Sequence, residues 1–516
     1  MTPNATRPAP MFTARELDLL ATPLSIQLER AALARDIEAL PAIQAQMEEQ
    51  CVLAYDSYVQ WVALLQTFIV EHVGECGHDE AIRYAAGHAF PPFLLEYRQL
   101  DFRGRVETLA SHLRASGSTF SVEEDDERVR FTLDPWGGAV RQWRRRPSWQ
   151  DNAPRERNGN RYAYRCFGAY EPDGGGFAVL HGARPLTRSQ DSLPCYFAVE
   201  ALFYEAHAIE LLGMPLAVIT QPDAAEGITH LDVLKDPARI PVTVYERVGF
   251  SKPLCGVLVV EAARRVFTDD ELATLATPLS LQVEAAAARQ DWERLLAISS
   301  EMDRELVRAK DPLGILITAL LTWIARHLGE ATVEQALMRT AEVVMAPYVE
   351  NVRGLSHADL IRYKALTSRA HGSTFRIEEH EDTIVLRGTL GASGRMRIPG
   401  RPSFERTGDG RVRYPTFGVY DQPACLHRLR EPRPMTYGLT DYPIYACHGH
   451  VLHEVYCIDV LGYPLWVEDH DGTDPDSEDV HMIYKDPTSW PEEYYARVGR
   501  SKTAAATRLN VEEGAA

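Results

Sequence analysis

The sequence predicts an α+β protein made by tandem duplication of one module, a helical half followed by a small antiparallel sheet with one helix. Three observations predict it. FTARELDLLATPLSIQLE from Phe12 returns as FTDDELATLATPLSLQVE from Phe267, 255 residues later (267 − 12). That period has the length of a domain, whereas solenoid repeats run at roughly 20 to 50 residues. Within each copy the apolar spacing also changes, from a helical period to alternation, as it does where helices give way to strands.

The match continues along the chain. RASGSTFSVEE from Arg114 pairs with RAHGSTFRIEE from Arg369, RPSW from Arg146 with RPSF from Arg401, and FGAYE at Phe167 with FGVYD at Phe417. YERVGFSK from Tyr245 pairs with YARVGRSK from Tyr495. These matches place the modules at 12–252 and 267–502, joined by PLCGVLVVEAARRV and followed by a polar tail, 503–516. Two copies in one chain predict an internal pseudo-dimer, by analogy with two-fold homodimers, and leave room for further homo-oligomerisation.

Each module opens on a capping-box pattern, Thr13 with Glu16 and Thr268 with Glu271, which starts a helix. Apolar residues at helical spacing then run to about Arg114 and Arg369, with a break at Phe90-Pro91-Pro92. TFSVEEDDERVRFTL from Thr119 and TFRIEEHEDTIVLR from Thr374 alternate around an acidic turn and read as hairpins. A Gly- and Arg-rich loop, a short strand, a helix and two final strands complete the module.

The helix near the end of the second copy is the densest in chemistry. YPIYACHGHVLHEVYCIDVLGYPLWV, from Tyr442, holds Cys447, His448, His450, His453, Glu454 and Cys457. At ordinary helical spacing Cys447, His450 and Glu454 share one face, and His453 and Cys457 an adjoining one. Laid without gaps over SLPCYFAVEALFYEAHAIELLGMPL from Ser192, the five Cys and His residues face Ala198, Val199, Ala201, Tyr204 and Ala208. Glu454 faces Glu205, and Gly462 faces Gly213. The N-terminal module is thus expected to be site-degenerate and the C-terminal module to carry an active or ligand site.

Imidazole and thiolate suit Zn2+ or Fe2+, with a carboxylate to complete a site that keeps one position open. The expected roles are Cys447, His450 and His453 as metal ligands, and Glu454 as general base or fourth ligand. His448 is expected as an acid/base group, and His371 and Tyr445 as substrate contacts. His371, His380 and His481 are alternative sources of a further ligand. The function that follows is a metal-dependent hydrolase or lyase acting on a small organic molecule. The alternative is a non-catalytic binding protein that senses a small molecule, a metal or redox state. HExxH and HxxEH spacings are absent.

Composition narrows the classes. The 45% hydrophobic and 25% charged make-up is that of a globular chain, and the net charge of -19 disfavours nucleic acid and anionic membrane surfaces. Eight cysteines without a CxxC pair suit reduced thiols, and the opening MTPNATRPAP lacks a signal-peptide pattern, so the expected location is cytoplasmic. The uncharged run 312–325 is shorter than the roughly 20 residues a bilayer requires. No GxGxxG, GxxxxGK[ST] or GxSxG motif points to a nucleotide cofactor or a serine hydrolase. The arginine-rich stretch from Arg141 and the acidic stretch from Glu468 read as solvated loops.

Overall fold

A computed structural model describes residues 10–133, 177–188, 192–223, 228–253, 265–353, 355–389, 405–406, 412–413, 426–468 and 479–505. The arginine-rich stretch from Arg141, the RPSW and RPSF matches, FGAYE, FGVYD, the glycine-rich turns and most of the acidic stretch after Glu468 lie outside them.

The first half begins with helices α1 (Ala14–Ala21), α2 (Leu24–Ala34), α3 (Leu40–Ala89), α4 (Pro91–Gln99) and α5 (Phe102–Ala115). Strands β1 (Phe120–Glu124), β2 (Arg128–Leu133), β3 (Val179–His181) and β4 (Ser192–Pro194) follow. Next come α6 (Phe197–Glu200), a π-helical segment π1 (Ala201–Ala206), α7 (His207–Leu212), β5 (Val218–Asp223), β6 (Ile228–Leu234) and α8 (Val242–Glu246).

The second half repeats this order. Helices α9 (Asp269–Ala276), α10 (Leu279–Ala288), α11 (Trp292–His327), α12 (Glu330–Arg353) and α13 (His357–Ala370) lead to β7 (Thr374–Glu379) and β8 (Thr383–Thr389). After the short pairs β9 (Glu405–Arg406) with β10 (Val412–Arg413) and β11 (Arg428–Leu429) with β12 (Tyr442–Pro443) comes π2 (Gly449–Val455). Then follow α14 (Tyr456–Leu461), β13 (Val467–Glu468), β14 (Asp479–Tyr484) and α15 (Glu492–Ala496). The α+β class holds. No helix among the described residues is long and apolar enough to cross a membrane.

The chain forms two compact units, Leu28–Trp323 and the pair Met1–Gln27 with Ile324–Ala516. Each contains one antiparallel four-stranded sheet, ordered β1-β2-β6-β5 in the first and β7-β8-β14-β13 in the second. In the first unit Leu28, Leu40 and Ile43 form a core with Val283, Leu295 and Ile298. In the second, Val455, Ile458 and Val467 pack with Trp490, Tyr495 and Val498.

The unit boundaries have a local cause. Helix α1 lies in the same unit as β7, where the Glu379 carboxylate accepts the Met11 and Phe12 N–H groups at 2.7 and 3.0 Å and pairs with Lys485 at 2.7 Å. Helix α9 lies in the same unit as β1, where Glu124 accepts the Val266 and Phe267 N–H groups at 2.7 and 2.9 Å and pairs with Lys235 at 2.7 Å. Both helices begin with a closed capping box, Thr13 with Glu16 and Thr268 with Glu271. Each opening helix thus docks on the hairpin that belongs, by sequence order, to the other half.

Candidate functional site

The helix expected over 443–462 is interrupted. Residues 444–446 form a short 3-10 turn, Gly449–Val455 is π-helical, and α14 ends at Gly462, whose φ of 80° suits glycine. The π register is closed by the Tyr456 N–H, which donates to Val451 O five residues back. The same break occurs in π1, where the His207 N–H donates to Leu202 O. Such segments are rare and frequently mark functional sites. A wider turn also changes which residues face one another. The His448 and His453 rings, five apart in sequence, lie 5.6 Å from each other, and the Cys457 thiol donates to Leu452 O at 3.3 Å.

The sequence-predicted residues are held by separate partners. Cys447 is fully buried, its thiol turned to Pro443 O at 3.9 Å and pushed well up by burial. Among the described residues neither ring nitrogen of buried His450 has a hydrogen-bond partner; burial, then Arg497, lowers its pKa to about 3. His453 Nδ1 lies 3.2 Å from Glu468 Oε1, yet burial still holds it down at about 4. His448 Nδ1 is 2.6 Å from Tyr445 O, and the two rings are 4.7 Å apart. His371 caps α13, with Nδ1 2.6 Å from Thr367 O. His380 is exposed beside Glu378. Among the described residues no three His, Cys, Asp or Glu side chains are grouped to hold a metal ion.

Glu454 is enclosed by donors. Arg497 Nε reaches Oε2 at 3.1 Å and Nη2 reaches Oε1, the Tyr437 hydroxyl donates at 3.0 Å, and the Glu468 N–H donates at 3.1 Å. Burial raises its pKa to about 7 against these contacts. Its counterpart Glu205 takes Arg247 Nε at 3.1 Å and the Ile219 N–H at 3.1 Å. In both halves, therefore, this glutamate ties the π segment to the first strand after it. Removing one partner of such a buried pair costs roughly 3 to 5 kcal/mol.

Lys364, Trp466 and Glu468, which the sequence reading missed, gather with His453 and His481, which it named. The Lys364 ammonium sits 3.6 Å from the Trp466 ring centroid, and burial lowers its pKa to about 7 against the pull of Glu468. The Trp466 indole lies 4.3 Å from the His453 ring and 6.2 Å from the His481 ring, and His481 Nε2 is 3.5 Å from Glu468 Oε1. Gly449 makes room for this, because a Cβ there would overlap the Glu468 carboxylate. By sequence position Lys364, Trp466, Glu468 and His481 face Leu109, Ala217, Ile219 and Leu231. Extending the self-comparison beyond one helix would have exposed the cluster.

The Leu28–Trp323 unit holds a cavity. Its volume is about 60 Å3, enough for a few waters. Tyr55, Phe90, Tyr196, Phe203 and Tyr204 supply aromatic wall, and Leu313 and Leu316 of α11 aliphatic wall. Glu200 and His112 reach into it. Burial raises the Glu200 carboxyl to about 7, with Arg188 pulling the other way. Burial, helped by Arg308, lowers His112 to about 4, so the imidazole is neutral at pH 7. His112 stacks on Phe203 at 5.0 Å, and Phe203 meets Phe90 edge-on at 5.0 Å. Arg188 is buried with, among the described residues, neither terminal nitrogen hydrogen-bonded, and its left-handed backbone (φ 52°) faces Tyr437 (φ 54°) in sequence. Glu200 was legible as the residue opposite Gly449; nothing in its own segment flags it. This arrangement can hold a compact, mostly apolar molecule by its polar end.

No protein-family model matches the chain, and neither a curated protein nor a solved structure shows a significant match to it.

Proposed function

We propose that this chain binds a small organic molecule in the cavity of the Leu28–Trp323 unit, without catalysis there. The observation that carries the reading is an aromatic-walled cavity into which Glu200 and His112 project while, among the described residues, their side chains hold no hydrogen bond. Apolar walls with a few convergent polar groups are the usual make-up of a ligand site. Thermal unfolding of the full chain against a panel of small organic compounds tests it. A ligand at 100 times its Kd adds about 2.7 kcal/mol, so at least one compound is expected to raise the midpoint by several degrees. The rise should vanish in Leu316→Phe, which fills the cavity. A panel that never shifts the parent would sink the proposal.

The same reading takes the two halves as copies of one ancestral module packed as an internal pseudo-dimer. Matching strand order, the paired left-handed residues Arg188 and Tyr437, and the equivalent Glu205–Arg247 and Glu454–Arg497 pairs support it. A second reading keeps an enzyme in the C-terminal half, of metal-dependent hydrolase or lyase type with Zn or Fe, and is favoured by the gathering of Lys364, His453, Glu468 and His481. Elemental analysis of the untagged protein decides it: about one equivalent of Zn or Fe would support it, and none would remove it.

A further inference from the structure

The two halves solve the same space differently. In the second, Trp466 is buried with its indole beside the His453 and His481 rings, at 4.3 and 6.2 Å. The residues facing those two in sequence are Tyr204 and Leu231, and both line the cavity. The residue facing Trp466 is Ala217. At these two wall positions the first half thus faces a cavity, while the position of the Trp466 ring holds only a methyl group.

The carboxylate has moved as well. In the second half it comes from the strand, as Glu468, and fills the space that a side chain at Gly449 would occupy. In the first half the strand offers Ile219, and the helix position opposite Gly449 carries Glu200. A carboxylate thus serves the same place from either element. Glu468 has a partner in His453 Nδ1, but the residue facing His453 is Tyr204, and among the described residues Glu200 accepts no hydrogen bond. Glu200 lines the cavity half-buried, so a hydrogen-bond donor is the part that a ligand there would supply. Arg188 sets a buried positive charge near the same carboxylate, which favours a neutral donor over a cationic one.

We infer that the cavity takes a neutral aromatic ring bearing one hydrogen-bond donor, the ring standing where the Trp466 indole stands in the other half and the donor meeting Glu200. This rests on the small-molecule-binding reading above and names its ligand class. Ring and carboxylate together explain why the walls are aromatic and why one acid is retained among them.

Indole serves as the probe, titrated into the full chain by calorimetry beside 1-methylindole, which lacks the donor, and cyclohexanol, which lacks the ring. Saturable one-to-one binding of indole is expected, with both controls weaker by about tenfold or more. Ala217→Trp, which restores the missing ring, should fold and no longer bind indole. If that variant does not fold, Glu200→Leu decides in its place, with an expected loss of about tenfold or more. Equal binding of indole and 1-methylindole, or undiminished binding by a folded Ala217→Trp, would overturn the inference. Failure of indole while another compound of the panel binds removes this inference and leaves the binding reading standing. Failure of every compound removes both.

Discussion

His112 and Glu200 share one cavity but are displaced in opposite senses, and their pH dependence follows. The folded pKa of His112 is lowered to about 4 from 6.5. Between those values the unfolded chain binds the proton and the folded chain does not, so stability falls as pH drops through that window. Glu200 is raised to about 7 from 4.5. There the folded chain binds the extra proton, so stability falls as pH rises from 4.5 to 7. From pH 7 to 5 each effect amounts to about 2 kcal/mol by linkage, and the two offset. His112→Phe should therefore gain stability on acidification relative to the parent, and Glu200→Gln should lose it, by about that amount each. Urea midpoints at pH 7 and 5 check this; parallel behaviour of the two variants would contradict it.

Among the elements, the contact between π2 and β13 is the most specific, because one missing Cβ decides it. Gly449→Ala would meet the Glu468 carboxylate and should cost about 1 to 3 kcal/mol. Glu468→Ile copies the residue facing it and removes the obstruction, so the double variant should cost at least about 1 kcal/mol less than the sum of the two single ones. Additive denaturation energies would show that the two do not touch. This contact also marks the limit of what the sequence discloses. The hairpins, the capping boxes and the closing glycine at 462 were legible, because each rests on local spacing or on one residue's backbone freedom. The π segments were not, since a face argument assumes about 3.6 residues per turn and one wider turn rotates every later side chain. Glu454 and His450 were therefore expected beside Cys447, whereas Glu454 meets Arg497, and His448 meets His453 instead. Lys364 and Glu468 were missed because nothing in their own segments sets them apart; they stand out only against Leu109 and Ile219 of the other copy, and the fold brings them to Trp466.

For the whole molecule, the exchanged opening helices matter most. Deleting residues 1–22 removes α1 and the N–H groups held by Glu379 of β7. Amide exchange followed by mass spectrometry should then show faster exchange in β7 and β8, with β1 and β2, which keep α9, unchanged. Uniform acceleration in both hairpins would show that the two docking events are not separable.

The exchange also sets a timetable for synthesis. Helix α1 is made well before its docking strand, which is encoded some 360 residues downstream (374 − 14), so it must wait for that strand to be placed. Hairpin β1–β2 must likewise wait for α9 before its outer contacts are complete. Until then the nascent chain carries an undocked helix and, nearer the tunnel, an uncapped hairpin. The exposure ends only when most of the protein has been translated.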